Sequence, residues 1–487
     1  MTLLSLAAGI WLEQPAVLAI PAGMLLCFAA VVALPYVFYA LFALLPLSME
    51  MELPGGFGTD FPSELLMVFL MFCAVFYFAA NPKKLERDFF DNGLTKMVIL
   101  HLIWIGIVSV FSLMFSISIK FFLAKCWYII VFFVMTGMFI RNTDDFKNVI
   151  WFLALPLLFV TLWTLGRHAG TGFDFENVNK SMKPFFRNHV NYGVMLAFWI
   201  PFLWVGYNKY KAGTMARMIL QGILLVALVG IFFSYTRAAW VSVAILPFGY
   251  IMFKSKLTRP AVTVAVLVAG MALSFVLTGD NYKKFEPNYE RTVYHKNLED
   301  HLTATLAGED LSVMERVYRW VAGIRMANEY KLTGFGPGTF TRFYRGYTVS
   351  SFETYVSTNE DESTIHNYFL LVLVEQGWIG FFIFMILCIY AFIRGEVVYH
   401  ETRDPHEKRF VMAALLILLM IMANLVQADL LETDEIGSIF FLCLAVIAAR
   451  DIVNKQNNDH ENEDDKHLDN RNIHLSIDGK RDGSREE

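Results

Sequence analysis

Apolar residues run in blocks of about 17–25 along the chain, separated by short polar segments. A helix rising 1.5 Å per residue needs about 20 such residues to cross about 30 Å of hydrocarbon. The blocks predict spans at 15–34, 36–49, 62–80, 94–116, 121–140, 148–166, 190–206, 215–233, 238–253, 260–279, 368–393, 410–427 and 436–449. The first two share one apolar run broken by Pro35, so a single broken helix is the alternative there. The expected fold is all-α: a polytopic integral membrane protein with about 12 transmembrane helices, within 11–13. A membrane barrel is excluded, because its strands alternate with period two in segments of about ten residues.

Charge in the connecting loops adds a topology. Lys83, Lys84 and Arg87, then Arg141 and Lys147, then Lys209, Lys211 and Arg217 mark one side. Lys254, Lys256 and Arg259, then Arg394, Arg403, Lys408 and Arg409, continue it. The positive-inside rule places these loops in the cytoplasm. The alternating loops, such as 50–61 and 428–435, hold acids and no Lys or Arg, and are expected outside. The chain divides into transmembrane helices over 1–279, an external loop or cap over 280–365, transmembrane helices over 366–450, and a disordered cytoplasmic tail over 451–487. The cap holds a helix-like stretch at 310–330, where Val313, Val317, Trp320 and Ile324 recur at helical spacing. The following GFGPGTF at 334–340 comes after a helix and not a strand, so it reads as a helix stop and turn.

Composition sharpens the class. The chain of 487 residues is 56% hydrophobic and only 17% charged, with a mean hydropathy of +0.47. A soluble domain carries about 25% charge, so a soluble multidomain enzyme is excluded. No basic stripe is present, which excludes a nucleic-acid partner. The net charge of −5 belongs wholly to the tail from Asp451 onward and says nothing about a substrate. All five cysteines lie inside apolar blocks without CxxC spacing and read as small buried hydrophobes. The first residues lack the basic start of a cleaved signal, so the N-terminus is expected to stay.

Several cations sit on the side expected to be external, against the positive-inside pattern. Arg237 lies in FFSYTRAAWVSV, at a sharp turn between two spans. Arg316, Arg319 and Arg325 share the cap helix, and Arg167, Lys180, Lys183 and Arg187 share the 167–189 loop. Each group has a plain alternative: a snorkelling side chain, a solvated helix face or a headgroup contact. Together they suit an anion, because guanidinium forks bind phosphate bidentately. His366, beside Asn367 at the entry to a span, is a candidate proton acceptor, and His189 is a second. Glu375 lies inside an apolar run, as either a functional group or the partner of an Arg on another helix. There is no phosphate-binding loop of the GxxxxGK[ST] form, no HExxH and no metal-spaced Cys/His cluster.

Four motifs occur in order: Tyr235-Thr236-Arg237-Ala238-Ala239-Trp240, a helix with Arg316 and Trp320, Gly334-Phe335-Gly336-Pro337-Gly338-Thr339-Phe340, and His366-Asn367-Tyr368 leading to Glu375-Gln376-Gly377-Trp378-Ile379-Gly380. This arrangement resembles the O-antigen ligase and polymerase family of bacterial envelope proteins. The motif-bearing part covers about 230–385, and the span count extends the likeness over nearly the whole chain. The resemblance implies a membrane-embedded glycosyltransferase of the inner membrane, with a periplasmic site and neither metal nor nucleotide cofactor. The implied donor is a glycan on undecaprenyl pyrophosphate. The implied acceptor is lipid A–core, another glycan or a protein, and the remaining partners are membrane lipids. Arg237 and Arg316 would hold the pyrophosphate, and His366 would deprotonate or position the acceptor hydroxyl. Arg319, Arg187, His189, Asn367, Tyr368 and Glu375 are the candidate substrate-binding residues around them. The family's usual Ser-Arg is Thr236-Arg237 here, which keeps the hydroxyl. A carrier of a small anion such as bicarbonate is the rival reading, but it calls for charges deep in several spans, and Glu375 is the main case. A non-catalytic scaffold leaves the external cations without a task.

Overall fold

The computed structural model describes residues 15–53, 57–82, 87–140, 142–278, 311–349 and 363–482. Lys83, Lys84 and Arg141 of the basic loops, and positions 280–310 and 350–362 of the cap, lie outside the described residues. The long helices are α1 Pro15–Leu44, α2 Ser63–Ala80, α3 Gly93–Val110, α4 Phe115–Phe139, α5 Thr143–Ala169, α6 His189–Lys209 and α7 Met215–Phe233. They continue as α8 Arg237–Lys254, α9 Thr258–Leu277, the cap helix α10 Leu311–Ala327, α11 Tyr368–Glu401, α12 Pro405–Leu425 and α13 Asp434–Asp482. Among the described residues, 10 helices are long and apolar enough to cross a membrane. The helices α8 and α9, of 18 and 20 residues, complete the alternation of the chain between two ends. This is an all-α polytopic membrane architecture, as the apolar blocks require. Lipid offers no partner to backbone polar groups, so each crossing segment must bond within itself.

The two uncertain N-terminal blocks form one helix, α1, bent at Ala33, where φ is −149° and ψ is 51°. Pro35 lacks the N–H that would continue the ladder across that bend. One small sheet interrupts the helices. Strands β1 Met49–Leu53 and β2 Phe57–Phe61 pair antiparallel, with Met49 opposite Phe61. The tail boundary also shifts. α13 runs on to Asp482, and Asp451 is buried at 1% exposure because it receives Arg394 and Asn92. The first turn of the segment expected to be disordered is therefore part of the bundle.

α13 stands at the centre, packed against α12, α4 and α11, so its small and aliphatic residues from Ile436 to Ile452 are almost all enclosed. The outer helices show the reverse pattern. Val31, Phe76, Phe111 and Phe248 are each more than 70% exposed, which suits contact with lipid. Helices α2, α6, α8, α11 and α13 begin, and α3, α5, α7 and α12 end, at one end of the bundle. That end carries the sheet and the cap helix, and the basic connections occupy the other.

Candidate functional site

The turn between α7 and α8 sets Arg237. Tyr235 lies in the left-handed region with φ +53°, a conformation that costs a non-glycine residue about 1–2 kcal/mol. Three bonds hold it. The Tyr235 hydroxyl donates to the Phe173 carbonyl at 2.7 Å, Thr236 Oγ1 to the His189 carbonyl at 2.7 Å, and Thr236 N to Ser234 Oγ at 3.2 Å. The Thr236 hydroxyl thus ties the start of α8 to the start of α6, and it does not cap its own helix. Arg237 is half-buried at the first residue of α8. A cation is disfavoured there by the helix dipole, whereas an anion is favoured.

The 167–189 loop folds over this turn. The Arg167 guanidinium donates to the Lys183 carbonyl, and the buried His168 ring bonds the Asp174 carbonyl at 2.8 Å. His189 meets Asn179 Oδ1 twice, through its backbone N–H at 2.9 Å and through Nδ1 at 2.8 Å. Arg187 is exposed, and its charge acts on Asp60 in β2. Burial, then Glu50 and Glu64, raise the Asp60 carboxyl above its usual value, and Arg187 offsets part of this.

Helix α10 carries Arg316 and positions the residues before α11. Its enclosed face is formed by Met314, Tyr318, Val321, Ala322 and Met326. The face expected from the spacing is displaced: Val317, Trp320 and Ile324 are only half-buried, and the Val313 side chain lies outside the described residues. The displacement has a polar cause. Arg319 turns inward to pair with Glu315 at 3.2 Å, both side chains being under 10% exposed. Its Nη1 donates to the Thr364 carbonyl at 3.4 Å, and Trp320 Nε1 donates to the Ile365 carbonyl at 3.0 Å. Arg316 is half-buried one turn before Trp320.

These bonds deliver His366. It has φ +53°, a left-handed conformation, and its side chain is 33% exposed. Nδ1 faces Asp429 Oδ1 at 3.6 Å, while Asp429 Oδ2 accepts from the Thr364 hydroxyl. The Nδ1 contact is longer than a formed hydrogen bond. Burial pushes the Asp429 carboxyl up, but the nearby His366 ring and the Thr364 hydroxyl outweigh it and hold the group below its ordinary value. Asn367 caps α11 by accepting from Leu370 N at 3.0 Å, and Tyr368 is enclosed with its ring 5.2 Å from that of Phe384.

Glu375 has a role the sequence did not reveal. Its Oε2 accepts from Gly338 N at 2.8 Å and its Oε1 from Phe340 N at 2.9 Å, so both oxygens clasp the GFGPGTF turn. Phe335 N and Gly336 N add bonds to the carbonyls of Val374 and Glu375, and Trp378 N to that of Lys331. Gly334 and Gly377, each at φ +69°, allow the two backbones to meet. A Cβ on Gly377 would stand 2.2 Å from the Leu332 carbonyl oxygen. The last two motifs are thus one structural unit, which fixes the end of α10 against α11.

Nothing in the sequence distinguishes Asp429 from the other acids of 428–435. That loop is anchored from below: Lys125, 2% exposed in α4, pairs with Glu432 at 2.9 Å, and the Tyr128 hydroxyl donates to Asp434. On α12, Asn424 Nδ2 donates to Ser242 Oγ of α8 at 2.7 Å. Ser242 lies five residues after Arg237, and Asn424 five before Asp429. The α8 cation and the His366–Asp429 pair therefore stand at the same end, with α12 linking them. No cluster of three or more metal-ligating side chains occurs among the described residues.

The sequence profile of a family described as O-antigen ligase matches residues 222–385. The match includes Arg237, the cap helix, the clasped glycine turn and His366. No curated protein matches the chain. The match covers less than half of the chain and shows a likeness of that segment to the O-antigen ligase model, which supports a ligase- or polymerase-type function for this membrane protein.

Proposed function

We propose that the chain transfers an oligo- or polysaccharide from undecaprenyl pyrophosphate to an acceptor hydroxyl on the periplasmic face of the inner membrane, with lipid A–core as acceptor. The observation that carries this reading is the His366–Asp429 pair. Asp429 takes the Nδ1 side of the imidazole, which directs Nε2 to the acceptor. The acceptor oxygen bonds the anomeric carbon, and its proton passes to His366 Nε2. The bond from that carbon to the pyrophosphate oxygen breaks, and its electron pair leaves on the lipid pyrophosphate. Arg237 and Arg316 meet the charge on that group with guanidinium forks, so the scheme needs neither metal nor nucleotide. The leaving group is already anchored in the bilayer, and the enzyme's task is orientation and charge neutralisation. Arg187 and His189 line the approach from the 167–189 loop. The basic connections face the cytoplasm in this reading.

A lipopolysaccharide gel of a strain lacking the gene tests it. Loss of the whole ladder, with lipid-linked polymer accumulating, is the expected result. A core bearing one repeat unit would make the chain a polymerase, and an unchanged ladder with altered glycoproteins would make a protein the acceptor. No change in any glycan, with anion uptake by the protein in liposomes, would replace the enzyme by a carrier.

A further inference from the structure

The contacts of α10 point to a task for the cap helix beyond carrying Arg316. We infer that Trp320 and Arg319 are positioning residues that hold the Thr364–His366 segment, and so fix the imidazole against Asp429. This rests on the reading of His366 as the proton acceptor. His366 occupies a left-handed conformation that an isolated non-glycine residue avoids. Such a conformation persists only when its surroundings over-determine it. Here the two carbonyls just before it are both held from α10, Thr364 by Arg319 and Ile365 by Trp320. Between them the Ile365 side chain is fully buried against the helix. Glu315 keeps Arg319 turned toward the segment. The Thr364 hydroxyl then reaches Asp429, so the residue gripped by Arg319 also touches the carboxylate that faces His366. Arg319 therefore acts on the reaction through His366, and not as a ligand of the pyrophosphate.

The test uses the purified full chain with an undecaprenyl-pyrophosphate-linked glycan as donor and lipid A–core oligosaccharide as acceptor. Trp320→Phe keeps a ring and removes the N–H donor. The expected result is a fall in kcat of about tenfold with donor KM unchanged. Hydrogen exchange should quicken in a peptide covering 363–367, and stay as in the parent protein elsewhere. Arg319→Lys keeps the charge beside Glu315 but loses the fork, and should lower kcat by about threefold at unchanged KM. It carries the test if the Phe variant does not fold. A rise in KM with kcat preserved would make the helix a substrate wall and overturn the inference. So would unchanged exchange at 363–367. The exchange measurement needs no substrate. Full activity in His366→Gln would sink the base reading, whereas unchanged exchange with an inactive His366→Gln would sink the clamp alone.

Discussion

The two ends of the bundle use the same ingredients differently. At the basic end each buried carboxylate is closed by donors from neighbouring helices. Glu407 accepts from the backbone N–H and hydroxyl of Thr143, both at 2.8 Å, and from Arg450. Asp451 takes Arg394 and Asn92, and Glu396 takes the N–H of Thr258 at 3.1 Å and its hydroxyl at 2.6 Å. At the other end Asp429 also meets a basic ring, but that ring is one-third exposed and stands 3.6 Å away. Arg237 and Arg316 are likewise half-buried. Closed sets of this kind fix helix ends, whereas a carboxylate facing an accessible imidazole leaves one face of the ring for chemistry. Openness separates the His366–Asp429 pair from the closed carboxylates at both ends, Glu432 and Glu375 among them.

That contrast is tested most severely at His366. His366→Ala should cut glycan transfer by about 10²–10⁴-fold, the range for removing a general base, with the melting temperature lowered far less than in a variant at the opposite end. Steady-state rates and a thermal melt on the same preparation check it. A melt lowered as far as that of an opposite-end variant would erase the distinction. Arg237→Ala and Arg316→Ala should each cost about 10²–10³-fold, as for other donors aimed at developing charge. Lysine at either position should restore only part of the rate, because it offers a point charge in place of a fork. Full activity in both alanine variants would remove these residues from the site.

The opposite end should respond the other way. Arg450→Ala strips Glu407 of its cation, while the Thr143 bonds remain. Removing one partner of a buried pair costs about 3–5 kcal/mol, so this variant should melt or unfold in denaturant well before the parent. The molecules still folded should keep the parent's kcat. A specific loss of kcat would show that the basic end is coupled to the chemistry.

The same contrast explains what the sequence disclosed. Span positions were legible because lipid imposes one rule on every crossing segment, and the apolar blocks obey it. Arg237, Arg316 and His366 were visible as candidates because each breaks a local expectation for its place. Asp429 was not, since its meaning depends on a histidine 63 positions earlier in the chain and its neighbours are also acidic. Glu375 stood out as an acid in an apolar run, but its partners are backbone N–H groups of the glycine turn, which no side-chain pattern reveals. The cap helix misled for a similar reason. Arg319 looks like a solvated cation on a helical wheel, and it turns inward only because Glu315 and the Thr364 carbonyl await it.

The smallest expected effect concerns Asp429 itself. Its folded pKa is depressed, so its ionised form is favoured by folding. The resulting stability is complete above the ordinary carboxylate value of about 3.9 and is lost as the pH falls through the lower folded value. Asp429→Asn should therefore be less stable than the parent at pH 5, by about 1 kcal/mol. The gap should close only below about pH 4. Melting curves across that series decide the matter. A gap that closed between pH 5 and 7 would assign the proton to another group. An unchanged gap at every pH would mean that His366 and Thr364 do not favour the ionised over the protonated carboxyl, and the pair would lose its claim to differ from the closed sets at the basic end.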